Sequence, residues 1–181
     1  MGTETDPGFG LGGTVGWAIG GAVGGAIGAA AFGLLMWAFD PGVLEAAVPG
    51  IYGFDSSTAL GMSLHVLHGA ALGVVFGFLV TRPAVLGIVR TDVETEAVSE
   101  TGLALRIVAA GFVFGLAVWA ILPLLVLPVW VDAIGTAAAG DFPAIAVESL
   151  LGHTLFGLVL GLVFAVLADV SNRPINLRFV E

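Results

Sequence analysis

No cysteine and no lysine occur among the 181 residues; there are three histidines and a single tyrosine, and arginine supplies all five basic side chains. The first absence removes disulfides, thiolate nucleophiles and thiolate metal ligands, and it leaves the redox state of the compartment unmarked. The second, with a formal net charge of -9, leaves acidic loops that repel nucleic acid and anionic lipid alike. Charged residues of both signs make up only 10% of the chain, where a soluble domain carries about a quarter, so the polar surface of a water-soluble fold is missing. Also missing are a G-x-S-x-G elbow, an H-E-x-x-H helix, a phosphate loop and a C-x-x-C pair, and the longest polar segment runs to about twenty residues. No kinase or ATPase domain fits, and no enzymatic activity is expected.

What fills the sequence instead is apolar. With 58% hydrophobic residues and a mean hydropathy of +1.08, the composition is that of an integral membrane protein. Four runs are long enough, at about 1.5 Å per residue, to cross a hydrocarbon core of about 30 Å as helices. They cover residues 14–39, 58–80, 103–131 and 145–168, with Arg106 in the first turns of the third. Met1 to Asp6 carry no basic side chain, so the first run is expected to stay as a span rather than to be removed as a signal.

That first run has two small-residue ridges, Gly16, Gly20, Gly24 and Gly28 on one and Gly21, Gly25, Ala29 and Gly33 on its neighbour. In water so much glycine argues against a helix; in lipid the backbone must satisfy its own hydrogen bonds, and small ridges let helices approach closely. Asp40-Pro41-Gly42 is expected to end the helix and open a loop reaching Ser57, and Pro123 to kink the third span. The segment 81–101 holds Arg82, Arg90, Asp92, Glu94, Glu96 and Glu100 and reads as a solvated loop.

One stretch occurs twice. HVLHGAALGVVFGFL begins at His65 and HTLFGLVLGLVFAVL at His153, and upstream FGLLMWAFDP from Phe32 matches FGLAVWAILP from Phe114. Two motifs repeated in the same order predict an all-α polytopic membrane protein whose four transmembrane helices are a tandem duplication of a helix pair. Residues 1–101 would hold the first pair and an acidic cytoplasmic linker, and residues 102–181 the second pair and a short tail. An even number of spans per repeat keeps direction through the bilayer, so a pseudo-two-fold along the membrane normal is expected. All five arginines, Arg82, Arg90, Arg106, Arg173 and Arg178, fall on one side or at its edge, which predicts cytoplasmic termini at the cell membrane.

The recurring H-x-x-[HF]-G-x-x-x-G pattern, His65, His68, Gly69 and Gly73 in one copy and His153, Phe156, Gly157 and Gly161 in the other, resembles that of small multi-span membrane proteins of halophilic archaea. The resemblance runs over nearly the whole chain, and the acidic, lysine-free loops share it. It implies a halophilic membrane protein and brings no assigned activity.

Residues four apart share a helix face, so His65 leads a ridge of Gly69, Gly73 and Gly77, and His153 one of Gly157, Gly161 and Ala165. Both imidazoles are expected to face protein, with the glycines as packing positions. His68 lies one turn on from His65, and Glu148 stands about one turn outward of His153, where it is placed either to accept from that ring or to reach the interfacial water. Three readings stay open. In a structural or accessory interaction subunit, bound to a membrane-protein partner or to further copies of itself, each histidine donates one interhelical hydrogen bond worth on the order of 0.6 to 2 kcal/mol. In a small-solute or proton pathway the histidines are polar stations, since ionisable groups within membranes are commonly functional. In the third reading His65 and His153, with His68 as a spare, ligate haem or a transition metal, as facing helices of bundles do.

Overall fold

A computed structural model describes residues 15–89, 96–135 and 147–168, without the side chains of residues 96–101. The described residues are almost wholly helical and contain no strand. Helix α1 spans Gly16–Phe39. Element α2 is a π-helical turn, Val43–Ala47, running into an α-helical turn, Val48–Gly50. Helices α3 (Thr58–Val80), α4 (Pro83–Val89) and α5 (Glu96–Ile121) follow. A π-helical turn at Leu122–Val126 joins α5 to α6 (Leu127–Ile134), and α7 covers Val147–Leu167. Four helices, Gly16–Phe39, Thr58–Val80, Gly102–Ile134 and Val147–Leu167, are long and apolar enough to cross a membrane. Arg90, Asp92, Glu94, Asp141, Arg173 and Arg178 lie outside the described residues.

Helix α1 sits between two partners, and its two glycine ridges explain how. A Cβ added at Gly21 or Gly25 would overlap the carbonyl oxygens of Gly73 and Gly69 on α3, and one at Gly25 would also come within 2.9 Å of the Gly73 Cα. On the other ridge, a Cβ at Gly28 would stand 2.7 Å from the Phe156 carbonyl oxygen of α7, and one at Gly20 would stand 3.3 Å from the Ala168 Cβ. Helix α5 has a single close neighbour, α7, against which Gly111 and Gly115 back onto Gly157. The neighbours therefore run α3, α1, α7, α5, and α3 meets α5 only marginally. A two-fold would pair α3 with α5 as closely as α1 with α7, so the packing departs from it. The physical reason is local: where α1 packs on α7 through Gly20, Gly24 and Gly28, the equivalent positions of α5 are Gly102, Arg106 and Ala110, so the glycine ridge is interrupted.

The connection from α1 to α3 is not an outer loop. It descends into the bundle. The α1 helix ends at Asp40, whose carbonyl accepts from Val43 N. The Leu44 carbonyl then packs against Gly61, and Tyr52 reaches His68, two turns further along α3. Residues 44–52 thus run alongside α3 in its own direction. Gly53, at φ 71°, reverses the chain in the left-handed region that glycine adopts at low cost. Four residues later Ser57 N donates to the Glu45 carbonyl at 2.8 Å, and its side chain caps α3 by accepting from Leu60 N. Leu44, Ala47, Val48 and Ile51 are buried by this descent, and Trp130 Nε1 of α6 donates to the Ile51 carbonyl at 2.8 Å. Re-entrant backbone of this kind is tolerated at membrane depth where it is covered by protein.

The segment after α3 likewise departs from a solvated loop. Pro83 opens α4, its missing N–H costing nothing in a first turn, and the helix turns Leu86 (2% exposed) and Val89 into the main core. Arg106 Nη1 donates to the Val89 carbonyl at 3.1 Å and so satisfies one of the carbonyls a helix end leaves open. At the same end the Arg82 guanidinium lies 3.5 Å over the Phe78 ring, which in turn packs on Trp17. Pro123 falls in the π-helical turn Leu122–Val126, whose wider spacing accommodates the lost backbone donor, and the helix continues to Ile134 and a left-handed cap at Gly135.

Candidate functional site

The re-entrant element, the second half of α1, the first half of α3, the α5–α6 junction and the start of α7 enclose a cavity of about 1170 Å³. All three histidines line it, together with Glu148, Gly69, Phe32, Tyr52, Asp40 and Ser149. Such an enclosure exists because α3 and α5 stand apart at this end, while the glycine contacts draw α1 against α3 and α7 further down.

Phe32 holds the site together. Its ring lies 5.0 Å from that of His65, edge-on at 81°, and 4.8 Å from that of His153, at 63°. The imidazoles from the two copies of the repeated stretch thus flank one phenyl ring. Phe32 reaches this place over Gly152 of α7, where any Cβ would collide with the ring. The His65 ring lies beside the Ala29 backbone, and its Nε2 is buried with no hydrogen-bond partner among the described residues.

His153 is oriented differently. Its Nδ1 donates to the Ser149 carbonyl at 2.7 Å, one turn back on α7. A carbonyl only accepts, so Nδ1 carries the hydrogen, and in the neutral ring Nε2 is left as a lone-pair acceptor. Glu148 therefore does not receive the Nδ1 bond; its side chain is exposed at the rim. His68 pairs through Nε2 with the Tyr52 hydroxyl, the rings 5.7 Å apart.

Gly73, Gly77, Gly157 and Gly161 are not part of the lining. They lie further along the helix contacts: a Cβ at Gly77 would meet the Trp17 carbonyl oxygen at 2.5 Å, and one at Gly161 would stand 2.8 Å from the Val108 Cα. Toward the α4 end, beyond the lining, Leu160, Phe76 and Phe164 are buried in the main core. Among the described residues no group of three or more His, Cys, Asp or Glu is arranged to hold a metal ion.

Sequence reasoning missed Phe32, Tyr52 and Asp40. A signal existed for the second, since the lone tyrosine sits in an apolar segment with only Glu45 and Asp55 for charge. The chain matches no protein-family model, no curated protein and no solved structure.

Proposed function

We propose that this membrane protein binds a small, largely apolar solute in the cavity between α1, α3 and α7, with the histidines as its polar contacts. One observation carries the reading: a cavity of about 1170 Å³ gathers every histidine of the chain onto its wall. Pockets for small molecules have this make-up, mostly apolar with a few convergent polar groups, and a volume of about 300 to 1,000 Å³ is usual. The packed core beyond the cavity, with Phe76 and Phe164 buried in it, argues for binding from one end over conduction through the bundle. With both termini cytoplasmic, that end faces away from the cytoplasm.

The test is native mass spectrometry of the protein extracted from its own membranes into nanodiscs. A bound small molecule is expected on the parent and should be lost from Ala46→Trp, which fills the cavity from α2. An empty parent, or an adduct that Ala46→Trp retains, would count against the reading.

A second reading, an accessory interaction subunit, is supported by α5. The span to which it belongs, Gly102–Ile134, is the least buried of the four, and α5 exposes Leu105, Val113 and Ile121. Crosslinking from Val113 in the native membrane distinguishes a protein neighbour from lipid.

A further inference from the structure

We infer that the cavity selects a solute whose head group donates hydrogen bonds and carries no negative charge, and that the best-fitting member of this class is a lipophilic amine in its ammonium form. The inference rests on the reading of the cavity as a binding site and adds the chemistry of what enters it.

Three features of the wall point the same way. The Nδ1 bond from His153 to the Ser149 carbonyl leaves Nε2 of that ring as an acceptor on the cavity wall. An acceptor held in one tautomer by its own helix needs a donor from the ligand. The charged side chains among the lining residues are Asp40 and Glu148, both acidic and both exposed at the rim, and no arginine joins them. The described arginines, Arg82 and Arg106, are at the opposite end, on Phe78 and Val89. A carboxylate or phosphate head would therefore meet two like charges and no counter-charge, whereas an ammonium would meet two carboxylates. Phe32, Phe39, Phe156 and Tyr52 line the same space, and aromatic rings attract ammonium groups. The remaining wall, including Leu35, Leu72 and Leu122, is aliphatic and suits a hydrocarbon tail.

Three probes with one tail and three heads separate the possibilities: dodecylammonium, dodecanol and dodecanoate. Each is titrated into the full chain in phosphatidylcholine nanodiscs, with Tm as the readout and Ala46→Trp as the background for partitioning into lipid. Dodecylammonium is expected to raise Tm saturably in the parent alone, dodecanol to do so at higher concentration, and dodecanoate to have no saturable effect. The double variant Asp40→Asn, Glu148→Gln, altered only at the exposed rim, should weaken dodecylammonium about five-fold and leave dodecanol unchanged, because exposed ion pairs are individually modest. Equal saturable binding of all three heads to the parent but not to Ala46→Trp would overturn the head-group selectivity and leave the binding site standing. Absence of saturable binding by any probe would remove both. Undiminished amine binding in the double variant would overturn the role of the rim carboxylates, and with it the inference.

Discussion

Phe76 and Phe164 occupy the same position in the two copies of the repeated stretch, and their rings meet edge-on, centroids 5.3 Å apart at 81°. Phe76 also packs on Phe114 at 5.4 Å, so one ring links α3 to both α5 and α7 where those helices otherwise barely meet α3. Phe76→Ala should therefore cost more than a single deletion on an outer face, about 3 to 5 kcal/mol, and should loosen the packed core beyond the cavity. Thermal unfolding in detergent checks the first, and water accessibility of a cysteine placed at Leu72 checks the second. An unchanged Tm would mean that the aromatic link contributes nothing to holding the bundle.

The glycine contacts predict an order of severity. A methyl group at Gly73 overlaps the Gly21 carbonyl, backbone against backbone, whereas one at Gly161 stands 2.8 Å from the Val108 Cα and 2.9 Å from the Ile107 carbonyl oxygen. Gly73→Ala should thus destabilise more than Gly161→Ala, and either leucine variant should cost about 1 to 3 kcal/mol or more through overpacking. Gly87, in α4, has open space at its Cβ position, so Gly87→Ala should be neutral or stabilise by up to about 1 kcal/mol through helix propensity. A reversed ranking in melting experiments would contradict the packing described for α1 and α3.

His65 and His153 should respond differently to substitution. Because the Nε2 of His65 is buried with no partner among the described residues, His65→Phe removes an unsatisfied group and should be neutral or stabilising, while His65→Ala leaves a void beside Phe32 and should cost about 1 to 3 kcal/mol. His153→Phe gives up only a bond to a carbonyl of its own helix, so it should spare stability and reduce solute binding. Equal losses of stability in His65→Phe and His65→Ala would indicate that Nε2 has a partner in the membrane.

The re-entrant element is tied to α6 by Trp130 and to α3 by Tyr52. Trp130→Phe and Tyr52→Phe each remove one hydrogen bond, worth about 0.5 to 1.5 kcal/mol. Their effect should be local, seen as faster amide exchange in 48–54 and unchanged exchange in the α1–α3 contact. Uniform exchange changes over the whole bundle would argue that the element is no separate unit.

Orientation is testable without the site. With the described arginines, Arg82 and Arg106, at one end of the bundle, reporters placed near Glu96 and after Glu181 should behave as cytoplasmic and one near Asp141 as external. The same compartment for Glu96 and Asp141 would be incompatible with four spans.

Long apolar runs made the four spans legible in the sequence, because in lipid a continuous run has no alternative to helix. The descent of residues 44–52 was not legible. Asp40-Pro41-Gly42, Pro49-Gly50 and Gly53 punctuate it like a loop, and only the scarcity of charge among Val43, Leu44, Ala47, Val48 and Ile51 hinted at burial. In 81–101 the seven apolar or small residues of α4 were outweighed by the surrounding charges. Helix faces placed the histidines toward protein, but what lies between them depends on Phe32, and one-helix periodicity says nothing about which ring arrives from a neighbour. The departure from two-fold packing was written in a feature seen and not compared: α1 has two glycine ridges, α5 a single Gly111–Gly115 pair.

Those two ridges also set an order of assembly. Helix α1 is gripped by α3, made soon after it, and by α7, the last of these four spans to be made. Until α7 enters the bilayer, Gly20, Gly24 and Gly28 present a groove with no side chains to fill it, and α5 lacks its single close neighbour. Insertion of the fourth span therefore closes two contacts at once. A chain halted before residue 147 would leave α1 half-clasped and α5 adrift in the lipid, a product that membrane quality control is well placed to recognise.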